Sequence, residues 1–169
     1  MYKNDKSFGS YSKGKSMNER RENENVSRTT TQEDVPDLIK KYMKLESLNS
    51  TDQYNIFKLD GLIKRTYCTN SGDDAKMNQL RKFYDNIVSI SETYDSMGNS
   101  GDEKLIRLVP IVKYAHARGL IQYDLLKLID TGVNIVCSEK DVEKKKQSLN
   151  RFKNVMEAVI AYSKKEKRW

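Results

Sequence analysis

From about Asp34 onward, apolar residues recur three or four positions apart and nowhere alternate with period two. That pattern predicts helices and no sheet. The clearest stripe is Leu80, Phe83, Ile87, Ile90, Tyr94 and Met97, with Arg81, Lys82, Asp85, Asn86 and Glu92 between, which predicts a core helix with one wet face. Before it, Pro36 opens a short, peripheral helix bearing Leu38, Ile39, Tyr42, Met43 and Leu45. Asp52 is expected to cap a second helix, in which Ile56, Leu59 and Ile63 fall on one side while Lys58, Lys64 and Arg65 project elsewhere. Asn70 to Asp74 breaks the chain.

Beyond the long stripe, the loop from Gly98 to Gly101 ends one helix, and Ser100 with Glu103 has capping-box spacing for the next. Leu105, Leu108, Val109, Ile111, Val112 and Ala115 leave that fourth helix little polar surface, so it is expected to be the most buried element, kinked at Pro110. Gly119 separates it from a fifth helix with Leu125, Leu126, Ile129 and Val133, and Ser138 with Asp141 resembles a second capping box. The last stripe runs Val142, Leu149, Phe152, Met156 and Val159; Lys145 stands where an apolar residue belongs, so this seam is expected to start weakly. The reading is an all-α fold, a compact bundle of five to six helices over residues 35–169.

Residues 1–34 show no hydrophobic period and are rich in Ser, Asn, Lys and Glu, which predicts a disordered N-terminal arm. Lys3, Lys6, Lys13 and Lys15 alternate there with Tyr2, Phe8 and Tyr11, a mixture able to stack on bases, although solvated tails have the same composition. The chain carries 31 basic and 24 acidic residues, a net charge of +7. Ten basic against five acidic residues fall within 139–169, so the excess sits mostly at the C-terminal end. Such a field attracts polyanions, and nucleic acid is favoured over an anionic membrane because no stretch joins a bulky apolar face to a dense Lys face. No apolar run is long enough to span a bilayer and no signal peptide opens the chain, so a cytoplasmic protein is expected.

Candidate chemistry is sparse. Cys68 and Cys137 are far apart without His or Cys at ligand spacing, His116 has no nucleophile near it in sequence, and Asp73 with Asp74 lacks the spacing of a calcium loop. The Gly98–Gly101 loop is followed by Asp102 and Glu103 where a P-loop needs Lys-Ser/Thr. No metal, no cofactor and no catalytic residue is expected. Positive clusters are the more informative feature: Lys76, Arg81 and Lys82 surround the start of the third helix, where backbone N–H groups favour an anion, and Lys144, Lys145, Lys146, Arg151 and Lys153 form the densest run. The first cluster could equally be solvated surface, and the C-terminal run ranks second as a phosphate site because charge runs at termini are usually solvated and mobile.

Three ordered segments, Asn78-Gln-Leu-Arg-Lys-Phe83, Leu108-Val-Pro-Ile-Val-Lys-Tyr-Ala-His-Ala-Arg118 and Phe152-Lys-Asn-Val-Met-Glu-Ala-Val-Ile-Ala-Tyr162, resemble the small-subunit family of the type III-A CRISPR (Csm) effector complex. The resemblance covers about residues 76–166, with Met77 and Asn78 where a small hydroxyl residue often precedes the Gln. It implies a non-catalytic helical bundle that stacks in several copies beside the backbone and large subunits and lines the channel for CRISPR RNA and target RNA in antiviral defence. Base pairing would then read sequence while this subunit supplies charge and shape. The carry-over points to Gln79, Arg81, Lys82, Lys113 and Arg118 as RNA contacts, and the charge pattern adds Lys76, Lys58, Lys64 and Arg65. The rival reading is a helical scaffold that binds protein without touching RNA.

Overall fold

The computed structural model describes residues 34–67, 74–97 and 99–163. The expected arm thus lies outside the described residues, apart from Asp34. Every regular element among the described residues is helical: α1 (Asp37–Met43), α2 (Ser50–Phe57), α3 (Leu62–Tyr67), α4 (Asp74–Met97), α5 (Asn99–Ala117), α6 (Tyr123–Ser138) and α7 (Val142–Ser163). The all-α bundle predicted from the 3.6-residue period is what forms.

Helix α7 is the central strut, packing on α4, α6, α3 and α1, while α5 completes the layer against α4 and α6. The predicted stripe of α4 is buried from Leu80 to Tyr94, and it meets Leu149, Phe152, Val155, Met156 and Val159 of α7 in one continuous core. Gly132 of α6 lets the Phe152 ring approach so closely that a Cβ there would stand 2.4 Å from it. Side-chain volume at one helix is thus matched by its absence at the other, as close packing requires.

Several boundaries differ from the sequence reading, each for a local reason. The helix expected after Asp52 starts earlier, because Asn49 is the cap: its Oδ1 accepts from the Asp52 N–H at 2.7 Å. That helix is then interrupted between α2 and α3 at Gly61, whose backbone lies so near the Asn55 carbonyl that a Cβ would sit 2.2 Å away. Leu59, in the interruption, is consequently exposed. Helix α1 is not peripheral: Ile39 and Met43 are fully buried against α6 and α7. It ends on a left-handed Leu45 (φ 64°), with Glu46 N–H donating to Lys41 O and Leu45 N–H to Tyr42 O, a Schellman arrangement usually built on glycine.

The Gly98–Gly101 loop contracts as well, since α5 already begins at Asn99. Gly101 is used for close approach, because a Cβ would meet the Tyr94 ring at 2.7 Å. Asp141, not Ser138, caps α7 by accepting the Lys144 N–H at 2.9 Å, while Ser138 closes α6 by donating to Ile135 O. The most buried helix is α6, held between α5 and α7, and not α5, whose Ile106, Ile111 and Tyr114 are more than half exposed. Pro110 sits on α5's exposed side and the helix runs through it.

Candidate nucleic-acid interface

Helices α4 and α5 are joined at residue 98 and pack as an antiparallel hairpin, so residues equally far from the turn come level. Between them lies a groove of about 270 Å³ lined by Asn86, Ser89 and Ile90 from α4 and by Lys104, Arg107, Leu108 and Ile111 from α5. One and two turns farther from the loop, the same helix faces carry Gln79 and Lys82 on one side and Tyr114 and Arg118 on the other. The Arg118 guanidinium lies 5.6 Å from the centre of the Tyr114 ring. Arg118 itself follows the last turn of α5, which closes at Gly119 (φ 70°) with Gly119 N–H donating to His116 O and Leu120 N–H to Ala115 O.

The predicted contacts are therefore only partly brought together. Gln79, Lys82 and Arg118 flank the groove. Arg81, about 100° round α4 from Lys82, and Lys113, about 160° round α5 from Ile111, lie on the flanks of the hairpin. Both are exposed. Lys76 is half-buried, falls in register with Leu80 and Phe83 on the inner side of α4, and takes part in a polar interaction of its own. The first turn of α4 borders residues 68–73, outside the described residues. Lys58, Lys64 and Arg65 belong to another part of the bundle, since α3 packs on α2, α6 and α7.

Among the described residues no carboxylate stands within 4.0 Å of Arg81, Lys82, Lys104, Lys113, Arg118, Lys58, Lys64 or Arg65. Arg107 has Glu103 at 3.9 Å, but both are well exposed (79% and 70%), which makes that pair weak and salt-screened. The groove's Lys104, Arg107 and Tyr114 were not singled out as contacts by sequence reasoning. A signal was there: 104, 107, 111, 114 and 118 form a second set at helical spacing, and Ile111 drew it into the core reading.

The C-terminal positive run has a different fate. Lys145 is mostly buried and donates to Asp102 Oδ2 at 2.6 Å, while the Tyr94 hydroxyl donates to Asp102 Oδ1 at 2.6 Å. Burial first, and then that hydrogen bond, push the Tyr94 phenol far above the usual tyrosine range. The lysine that looked like a flaw in the α7 seam is thus an ionic pin joining α7 to α5 and α4. Lys146 pairs with Glu143 at 2.9 Å. Arg151 donates to the Tyr42 carbonyl at 2.8 Å and lies 4.9 Å from that ring's centre.

His116 is structural too. Its Nδ1 is 3.1 Å from the Ile121 carbonyl, which can only accept, so this nitrogen carries the proton and ties the end of α5 to the start of α6. Burial raises the Cys137 thiol. Among the described residues no group of His, Cys, Asp or Glu is arranged to hold a metal ion, and no helix is long and apolar enough to cross a membrane.

These features define a small all-α protein with exposed cations along a helical hairpin. A family model described as Csm2 Type III-A matches residues 66–168, from the end of α3 through α7, and the chain belongs to that family. It is accordingly a small subunit of a type III-A Csm complex, whose partners are other Csm proteins. No curated protein and no solved structure matches the chain.

Proposed function

We propose that this chain is a non-catalytic subunit that stacks in several copies along the backbone subunits of its complex, in the cytoplasm, and holds guide and target RNA by their phosphates during antiviral defence. The α4–α5 hairpin supplies the contact: Lys82, Arg118, Lys104 and Arg107 along the groove, with Gln79 as a neutral donor, and Arg81 and Lys113 on the outer flanks of the hairpin, turned away from the groove. The observation that carries this reading is that Arg81, Lys82, Lys104, Lys113 and Arg118 have no carboxylate partner among the described residues. Unpaired cations keep their full attraction for a polyanion, and each phosphate they neutralise releases counterions. Lys58, Lys64 and Arg65 are secondary candidates on a separate surface.

The exposure of Ile106 (54%), Ile111 (51%) and Tyr114 (64%) on α5 favours a second reading, in which the same helix docks on protein alone. Salt separates the two. Filter binding of the full chain to single-stranded RNA between 50 and 200 mM salt should give a log–log slope of about −3 for four phosphate contacts. A flat response would overturn RNA contact and leave the scaffold.

A further inference from the structure

A second concavity, about 440 Å³, opens where α1 and α2 meet α7, and neither α4 nor α5 contributes to its lining. Tyr42, Phe57 and Tyr162 wall it. Asn154, Glu157, Ala158 and Ala161 come from one face of α7, at spacings of three, four and seven residues, and the two alanines keep the floor open. The rings are fixed: Tyr42 and Phe57 meet edge to face at 5.3 Å, and the Tyr162 hydroxyl donates to the Phe57 carbonyl.

The commitments of the polar atoms select the ligand. Tyr162 has spent its proton on Phe57, and the Asn154 amide nitrogen donates to the Tyr42 hydroxyl at 3.4 Å. What remains for a visitor is the Asn154 carbonyl oxygen, the Glu157 carboxylate and the π faces of the rings, against the second Asn154 amide hydrogen and one hydroxyl hydrogen on Tyr42, neither of which carries a charge. Glu157 is exposed, and no basic side chain among the described residues lies within ion-pair distance of it. A site rich in acceptors with a full negative charge repels phosphate and carboxylate and fits a cation that only donates. Tyr42 already holds one such group, the Arg151 guanidinium.

We propose that this pocket receives an arginine or lysine side chain from a neighbouring protein subunit. The aliphatic stem would lie against Phe57 and the two alanines, and the cationic head would face Glu157 and the Asn154 carbonyl with the aromatic rings beside it. This assignment does not rest on RNA binding by α4 and α5, so either can fail alone.

Two measurements on the full chain test it. Methyl NMR signals of Ala158 and Ala161 should shift saturably on titration with N-acetyl-arginine amide and stay still with the neutral citrulline analogue. Glu157→Gln should weaken that response at least fivefold. In reconstitution with the other subunits of the complex, Glu157→Gln and Ala161→Trp should each reduce incorporation at least threefold; thermal melts of both variants check that they fold. Equal response to the citrulline analogue, or shifts with adenosine monophosphate and none with arginine amide, would overturn the proposal. So would arginine-amide binding combined with normal assembly of Glu157→Gln, which would mark a site for free amines instead of a docking seat.

Discussion

The α4–α5 hairpin and the first half of α7 both carry several lysines and arginines, yet most of those cations are used differently in the two regions. On the hairpin, Arg81, Lys82, Lys104, Lys113 and Arg118 stand in solvent without a carboxylate partner among the described residues. On α7, Lys145, Lys146 and Arg151 are engaged by Asp102, Glu143 and the Tyr42 carbonyl, and of this half only Lys144 stays exposed without a carboxylate partner among the described residues. Density of positive charge along a sequence therefore does not tell which cations are left without an acceptor. What decides is whether tertiary packing brings an acceptor to each cation, since a cation that already has one offers little to an incoming phosphate.

The largest effect that would break this contrast is at Lys145. Lys145→Ala leaves Asp102, only 25% exposed, without its cation. Removing one member of a buried pair costs about 3–5 kcal/mol, and partial exposure here lowers the expectation to about 2–3 kcal/mol. A urea melt checks it. A loss under about 0.5 kcal/mol would mean that Lys145 is a surface charge like those on the hairpin.

Lys82→Ala combined with Arg118→Ala should do the reverse. Surface changes of this kind leave stability within about 0.5 kcal/mol each. RNA affinity should fall about tenfold or more at 0.15 M salt, and the log–log salt slope should become shallower by about 1.4 on single strands. An unchanged slope with unchanged stability would move the RNA contact elsewhere. Arg151→Ala comes next in size: losing its hydrogen bond to Tyr42 and its contact with the ring should cost about 1–2 kcal/mol, with RNA affinity nearly untouched.

Much of this was legible beforehand. The stripe of α4 and the seam of α7 from Leu149 onward follow from periodicity alone, because a buried face leaves its period in the sequence. Hidden were features that depend on a partner distant in the chain. Lys145 reads as a flaw until Asp102, 43 residues away, is placed beside it. Gly101 reads as a loop residue until the Tyr94 ring is placed against it. Ile111 reads as core because its neighbours are, and whether it lines a groove depends on how many helices cover α5.

The smallest effect at neutral pH, and the sharpest probe of how α7 is pinned, is alkaline. Tyr94 and Tyr67 are both buried, and burial is the first cause that raises each phenol above the usual value near 10. The folded state therefore keeps both phenols neutral while the unfolded chain begins to ionise them around pH 10. Their contribution is fully present below that pH and is lost as pH rises further, at up to about 1.4 kcal/mol per pH unit for each group. Urea midpoints should be flat from pH 8 to 9.5 as far as these groups are concerned and fall steeply by pH 11. Tyr94→Phe should cost about 1 kcal/mol at pH 8 through the lost hydrogen bond to Asp102, and should make the alkaline fall shallower. An equally steep fall in Tyr94→Phe would mean that the phenol is hydrated in the folded state and that Asp102 is held by Lys145 alone.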